Sequence, residues 1–386
     1  MRVPFLDLKI QYQQIKDDVW KELIEVFENT SFILGKKVEA FEKAFAEAHN
    51  AKYCYGVSSG TDGNHLVLWA LGVGKGDEVI VPANTFIAST WGATLCGAKP
   101  VFVDCHPESY NIDPTKIGSA ITNKTKAIVA VHLYGQPADI DGIEESLKAE
   151  NFIKENAGVF THKLTGKKIY LVEDCAQSHL SEYKNKKVGT LGIASSWSFY
   201  PGKNLGAYGE AGAVITNDNE LAKKIRMIRN HGSEEKYIHK MFGHNYRMEE
   251  IQGVVLSVKI RYLKKWTELR RAVAEQYRRL LDKFDFIRLP EEMSYGKHVY
   301  HLFVIKVNDR RDELRKFMLS REIETGLHYP VPLHLQPCFE YLGYRRGDFP
   351  VTEELSQKGL SLPMFSELTY EQIEYVAATI DEFYKR

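Results

Sequence analysis

Short apolar runs of strand length recur along the chain as far as Thr216, and helical or turn-rich segments separate most of them. The runs cover residues 52–57, 78–81, 99–103, 127–131, 169–172 and 213–216. That alternation predicts an α/β domain: a mixed, mostly parallel sheet with helices on both faces. Upstream of the first run, Val38, Phe41, Phe45 and Ala48 recur at helical spacing. After it, Ser58-Ser59-Gly60-Thr61-Asp62-Gly63 forms a glycine turn leading into a helix whose apolar face carries Leu66, Trp69 and Ala70.

Beyond residue 250 the pattern changes. A long charged helix is predicted over 255–285, with Leu263, Trp266, Leu269 and Val273 as its apolar contacts, then a strand over 299–305 and helices over 311–320 and 370–384. We read a large α/β domain over 13–260 and a smaller α+β domain over 261–386, with an N-terminal arm, 1–12, packed against the latter. Residues 143–168 make an unusually long crossover. A helix is expected over 143–155 and a surface loop over 158–168.

With 386 residues, 44% of them hydrophobic, the chain can bury a large core. Its 51 basic and 51 acidic residues balance, which argues against nucleic acid or an anionic membrane as partner. No apolar run is long enough to span a bilayer. The start, Met1-Arg2-Val3-Pro4-Phe5, lacks the pattern of a secretory signal, and Cys54, Cys96, Cys105, Cys175 and Cys338 have neither disulfide-framework nor metal-ligand spacing. A reducing cytoplasm is therefore expected, with no metal.

Two residues stand out chemically. Lys203 follows a tight turn in Ser198-Phe199-Tyr200-Pro201-Gly202-Lys203, and Asp174 ends the run at 169–172 within Glu173-Asp174-Cys175-Ala176-Gln177. Taken singly, Lys203 could be a solvated loop lysine and Asp174 a cap or turn residue. Together at strand ends they suit pyridoxal 5'-phosphate, because a lysine can form a Schiff base with its aldehyde and an aspartate can keep its ring nitrogen protonated. Ser198 could hold the cofactor phosphate. Gly60 and Thr61 suit the same phosphate at a helix start, though an ordinary N-cap reads the same way. Phe86 could stack on the ring or pack in the core, and Gln177 could meet the phenolic oxygen or be a structural amide. Asn245 is a candidate cap. His328, Tyr329 and His334 belong to a proline-punctuated loop that reads as substrate contact or plain structure.

Taken in order, Gly60-Thr61-Asp62, Pro82-Ala83-Asn84-Thr85-Phe86, His132-Leu133-Tyr134-Gly135-Gln136-Pro137, Glu173 to Gln177, Ser198 to Gly206 and Leu360-Ser361-Leu362-Pro363 resemble the DegT family of nucleotide-sugar aminotransferases over nearly the whole chain. The resemblance implies the aspartate-aminotransferase fold (fold type I) with Lys203 as Schiff-base lysine and proton shuttle. It further implies Asp174 as partner of the ring nitrogen, Gln177 near the phenolic oxygen, Phe86 on the ring, and Gly60, Thr61 and Ser198 on the phosphate. By the same resemblance Asn245 reaches the phosphate across a homodimer interface. Sugar dehydratases of the family carry histidine at the lysine position, so Lys203 points to amino transfer. Ser-Phe-Tyr before the lysine segment is similar to the branch that aminates sugar carbon three, rather than carbon four. The implied partners are L-glutamate and a nucleotide-linked keto-sugar, a dTDP-3-keto-6-deoxyhexose above all. The chain departs from the family at 178–183, which makes Tyr183 a candidate substrate contact.

Overall fold

The computed structural model describes all 386 residues. Helices α1 (Leu8–Glu28) and α2 (Lys36–Ala48) precede β1 (Tyr53–Val57), α3 (Gly60–Ala70), β2 (Glu78–Pro82), α4 (Ala88–Leu95), β3 (Lys99–Val103) and β4 (Thr125–Val131). After a helix at Ile140–Ala149 come β5 (Phe152–Asn156), β6 (Val159–His162), β7 (Lys168–Asp174), β8 (Ala194–Ser198) and β9 (Gly212–Thr216). The sheet runs β1-β9-β8-β7-β4-β2-β3. From β8 through β3 every pairing is parallel, while β9 runs antiparallel to both its neighbours.

One apolar core lies on each face of this sheet. Val79, Val81, Val129 and Val172 point into one, and Ile80, Ile128, Ile169 and Leu171 into the other, as the two-residue period of a strand requires. Helix α3 lies nearly sealed, with Leu66, Val67 and Leu68 all buried and Trp69 only half so. The single apolar face expected of it understates its burial.

The crossover at 143–168 differs from expectation. Its helix stops at Ala149, and β5 and β6 form a hairpin that joins the sheet at the start of β7, through antiparallel pairing of β6 with residues 168–170. Lys154, Glu155 and Asn156 lie exposed, so this strand shows no apolar run. The strand expected at 299–305 also starts later, at Phe303, and ends at Val307. Residues 299–302 bend instead, with Tyr300 at φ 45°, and bring His301 and Leu302 to a cavity.

The helix Glu250–Leu281 runs unbroken through position 260. Leu256 and Leu263 pack into the sheet core, whereas Val273, Ala274, Tyr277 and Leu281 pack into a separate C-terminal core. Val3 lies in that second core and bridges Ile323, and α1 packs along the long helix through Ile15, Val19 and Leu23. No helix is long and apolar enough to cross a membrane.

Candidate active site

The C-terminal ends of β4, β7 and β8 open onto a cavity of about 560 Å³, the position at which open α/β sheets bind ligands. Gly60, Thr61, Phe86, Asp174, Gln177, Ser198, Lys203, His328 and Tyr329 line it. These residues span most of the chain, and the sheet brings them together.

At one end stands the N-terminus of α3. Ser59 caps it, its Oγ accepting from the Asp62 N–H at 3.1 Å. The first N–H groups of the helix, at Gly60 and Thr61, have no i−4 acceptor and present positive dipole to the cavity. Glycine is required at 60, since a Cβ there would stand 2.6 Å from the Ser198 Cβ. The close approach puts the Ser198 hydroxyl beside the helix start. Together they form an arrangement able to accept a dianionic phosphate.

Lys203 enters from the loop after β8, where its N–H donates to the Tyr200 carbonyl at 2.8 Å and closes the turn. Its ammonium has neither ion pair nor hydrogen bond within the chain. Burial lowers its pKa to about 8, against the opposing pull of the Asp174 charge, so a useful fraction of the amine is neutral and nucleophilic near physiological pH. The neighbouring histidines stay neutral for the same reasons. His328 is brought down to about 4 by burial and by the Lys203 charge, and His301 is held well below its ordinary value.

Asp174, at the end of β7, is 4% exposed. Its Oδ2 accepts from Ser89 Oγ at 2.7 Å and Asn64 Nδ2 at 3.0 Å, and its Oδ1 accepts from the Ala176 N–H at 3.1 Å. Gln177 is held at both ends of its amide: Oε1 accepts from the Tyr134 N–H at 2.7 Å and Nε2 donates to the Tyr329 hydroxyl at 3.0 Å. Burial raises the Tyr329 phenol, which remains protonated at neutral pH. The Phe86 ring is 52% exposed at the cavity wall, 5.6 Å from the Tyr329 ring, and so is not a core residue.

Two expected residues lie elsewhere. Tyr183 is buried behind the sheet, where its hydroxyl donates to Asp139 Oδ1 at 2.8 Å and accepts from the Asp141 N–H at 3.0 Å, fixing the start of the helix at Ile140. His334 is 2% exposed and pairs through Nε2 with Glu353 Oε1 at 3.0 Å. Both side chains are committed to structure and neither lines the cavity. Asn245 sits exposed outside the cavity, accepting from Arg247 Nε at 2.9 Å. Sequence reasoning missed Asn64, Ser89, Glu210 and His301, all of which line the cavity. Only Asn64 left a trace, as an amide among the buried apolar residues of α3.

The residues present fit pyridoxal phosphate: a phosphate cradle, an unpaired amine of lowered basicity, a carboxylate at a strand end and an aromatic wall. Fold and site define the class, an aminotransferase dependent on pyridoxal phosphate. The chain belongs to the DegT/DnrJ/EryC1/StrS aminotransferase family, whose pattern matches residues 13–154 and 160–381.

A Geobacillus stearothermophilus protein described as a pleiotropic regulatory protein is 45% identical over 100% of this chain and 99% of its own length. The dTDP-3-amino-3,6-dideoxy-alpha-D-galactopyranose transaminase of Aneurinibacillus thermoaerophilus is 39% identical over 99% of each chain. Among solved structures, S. venezuelae DesV in complex with a ketimine intermediate superposes with a TM-score of 0.92 at 38% identity, covering 100% of this chain and 99% of that one.

Proposed function

We propose that the chain transfers the amino group of L-glutamate to a nucleotide-linked keto-sugar, specifically a dTDP-3-keto-6-deoxyhexose, to give the dTDP-3-amino-3,6-dideoxyhexose. The observation that carries amino transfer is Lys203, an unpaired amine of lowered basicity opening onto the same cavity as Asp174. The choice of sugar rests on the galactopyranose transaminase relative and on the Ser198-Phe199-Tyr200 segment.

Pyridoxal phosphate, when bound, supplies an aldehyde for amine exchange and an electron-withdrawing ring. Lys203 is the residue that would hold it covalently. The free Lys203 Nζ would take the proton from the α-carbon of glutamate in the first half-reaction and give a proton to sugar carbon three in the second. Asp174 would keep the ring nitrogen protonated. Gly60, Thr61 and Ser198 would hold the phosphate, Phe86 would pack on the ring, and Gln177 would serve the phenolic oxygen. His328 and Tyr329 face the sugar. The protein acts in the cytoplasm as a homodimer, with Asn245, exposed outside its own cavity, reaching the phosphate of the partner's site.

Both half-reactions use one cavity, so double-reciprocal plots are expected to be parallel. Incubation with glutamate and a panel of dTDP- and UDP-keto-sugars, followed by NMR of the product, should give one 2-oxoglutarate per amine placed at carbon three. Amination at carbon four would overturn the choice of sugar. Dehydrated sugar without 2-oxoglutarate would overturn amino transfer. The name of one relative favours a regulatory reading, which would hold if the purified protein neither took up cofactor nor released 2-oxoglutarate.

A further inference from the structure

We infer that Asn64 and Ser89 are positioning residues for Asp174, bringing two chains of hydrogen-bond donors together on its Oδ2 and leaving the remaining acceptor capacity of the carboxylate to the cofactor ring. The inference rests on the reading of Asp174 as partner of the ring nitrogen.

Asn64 is 4% exposed on α3, beside Leu66, Val67 and Leu68, which are at most 1% exposed. An amide buried among such neighbours is unfavourable unless its hydrogen bonds are made. Its partners are both polar and both on central strands: Ser196 Oγ in the middle of β8 and Asp174 Oδ2 at the end of β7. An ionised carboxylate only accepts. The amide nitrogen must therefore face Asp174, its oxygen must face Ser196, and the Ser196 hydroxyl must donate.

The second chain obeys the same logic. Ser89, 2% exposed in the first turn of α4, spends its proton on Asp174 Oδ2, so Thr85 Oγ1, 2.9 Å away, must donate to Ser89. Both chains run in one sense, from hydroxyl to carboxylate. The helices that carry Asn64 and Ser89 are held in contact where a Cβ at Gly92 of α4 would stand 2.9 Å from the Asn64 carbonyl oxygen. Two donors on two helices thus reach one oxygen from fixed positions and pin rotation of the carboxylate.

Positioning has consequences that packing alone does not. A displaced Asp174 holds the ring proton less well, the ring withdraws fewer electrons, and the pH midpoint of the visible absorption band of the holoenzyme rises. The test compares the holoenzymes of Asn64→Leu, Ser89→Ala, Ser89→Thr and Asp174→Ala by visible pH titration and by their dissociation constants for pyridoxal phosphate. Asn64→Leu and Ser89→Ala are each expected to raise the midpoint by about half a unit and weaken cofactor binding about tenfold. Ser89→Thr, which keeps the hydroxyl, should restore both. Should Asn64→Leu fail to fold, the two Ser89 variants decide alone. If Asp174→Ala shifts the midpoint while folded Asn64→Leu and Ser89→Ala leave it in place, the positioning role is wrong and the reading of Asp174 stands. If Asp174→Ala leaves the midpoint in place as well, the reading of Asp174 falls, and the positioning role with it.

Discussion

Glu173 and Asp174 are adjacent carboxylates at the end of β7, both buried, yet they face opposite sides of the sheet. Glu173 is fully occupied. Its Oε1 accepts from the Leu191 and Gly192 N–H groups at 2.8 and 2.6 Å, and its Oε2 accepts from the Gly189 N–H at 2.7 Å and from His132 Nε2 at 3.0 Å. His132 Nδ1 accepts from the Ala138 N–H at 3.0 Å, so its proton must sit on Nε2. His132, Glu173 and Cys175 place their ligand atoms within 4.8 Å of one another, but the histidine and carboxylate atoms are all spent on hydrogen bonds. Asp174, by contrast, has three donors and opens onto a cavity beside an unpaired lysine. The same chemical group is spent on architecture on one face and left facing a cavity on the other. What separates them is how much hydrogen-bonding capacity the fold leaves unspent.

The largest expected effect that breaks this comparison comes from Asp174→Ala. Steady-state turnover should fall about 10²–10³-fold with the fold intact, as when a preorganised electrostatic partner is removed. An unchanged rate would make Asp174 as structural as its neighbour. Next is the pH dependence of cofactor capture. Because burial lowers the Lys203 pKa to about 8, the neutral amine should grow about tenfold per unit up to that value and level off above it. Stopped-flow mixing of apo-protein with pyridoxal phosphate should therefore show a rate about 50-fold higher at pH 8 than at pH 6, rising to about 100-fold on the plateau above pH 9. A rate still climbing tenfold per unit at pH 10 would mean an unperturbed lysine.

Glu173→Gln inverts the first prediction. Its amide nitrogen would confront backbone donors, which should cost about 2–3 kcal/mol of unfolding free energy in urea titration while turnover at 25 °C holds. Loss of turnover without loss of stability would erase the distinction between the two carboxylates. Smallest is Tyr183→Phe, which removes the hydrogen bond to Asp139 and the one from the Asp141 N–H and should cost about 1–2 kcal/mol, with sugar preference unchanged. A changed preference would return Tyr183 to the substrate pocket.

The contrast also explains what the sequence made legible. The strands at 78–82, 99–103 and 125–131 announced themselves because their mostly buried positions are filled with Val, Ile, Phe and Ala. Lys203, Asp174 and Ser198 were legible because each sits at a strand end or tight turn whose local pattern survives in one dimension. Strands β5 and β6 were not, since their exposed edge tolerates Lys154, Glu155 and Asn156. Asn64 and Ser89 lie 110 and 85 positions from Asp174, and only the folding of α3 and α4 over the sheet ends makes them neighbours. Tyr183 and His334 misled for the opposite reason, because a tyrosine or histidine in a loop looks the same whether its polar atom faces a ligand or a buried carboxylate.

The central claim is that the Lys203 amine carries the cofactor. Reduction of the holoenzyme with borohydride, digestion and peptide mass spectrometry test it directly. The account predicts one pyridoxyl group per chain, on the peptide containing Lys203, and none in Lys203→Ala. A label on another lysine, or a yellow Lys203→Ala protein that still traps the cofactor, would contradict it.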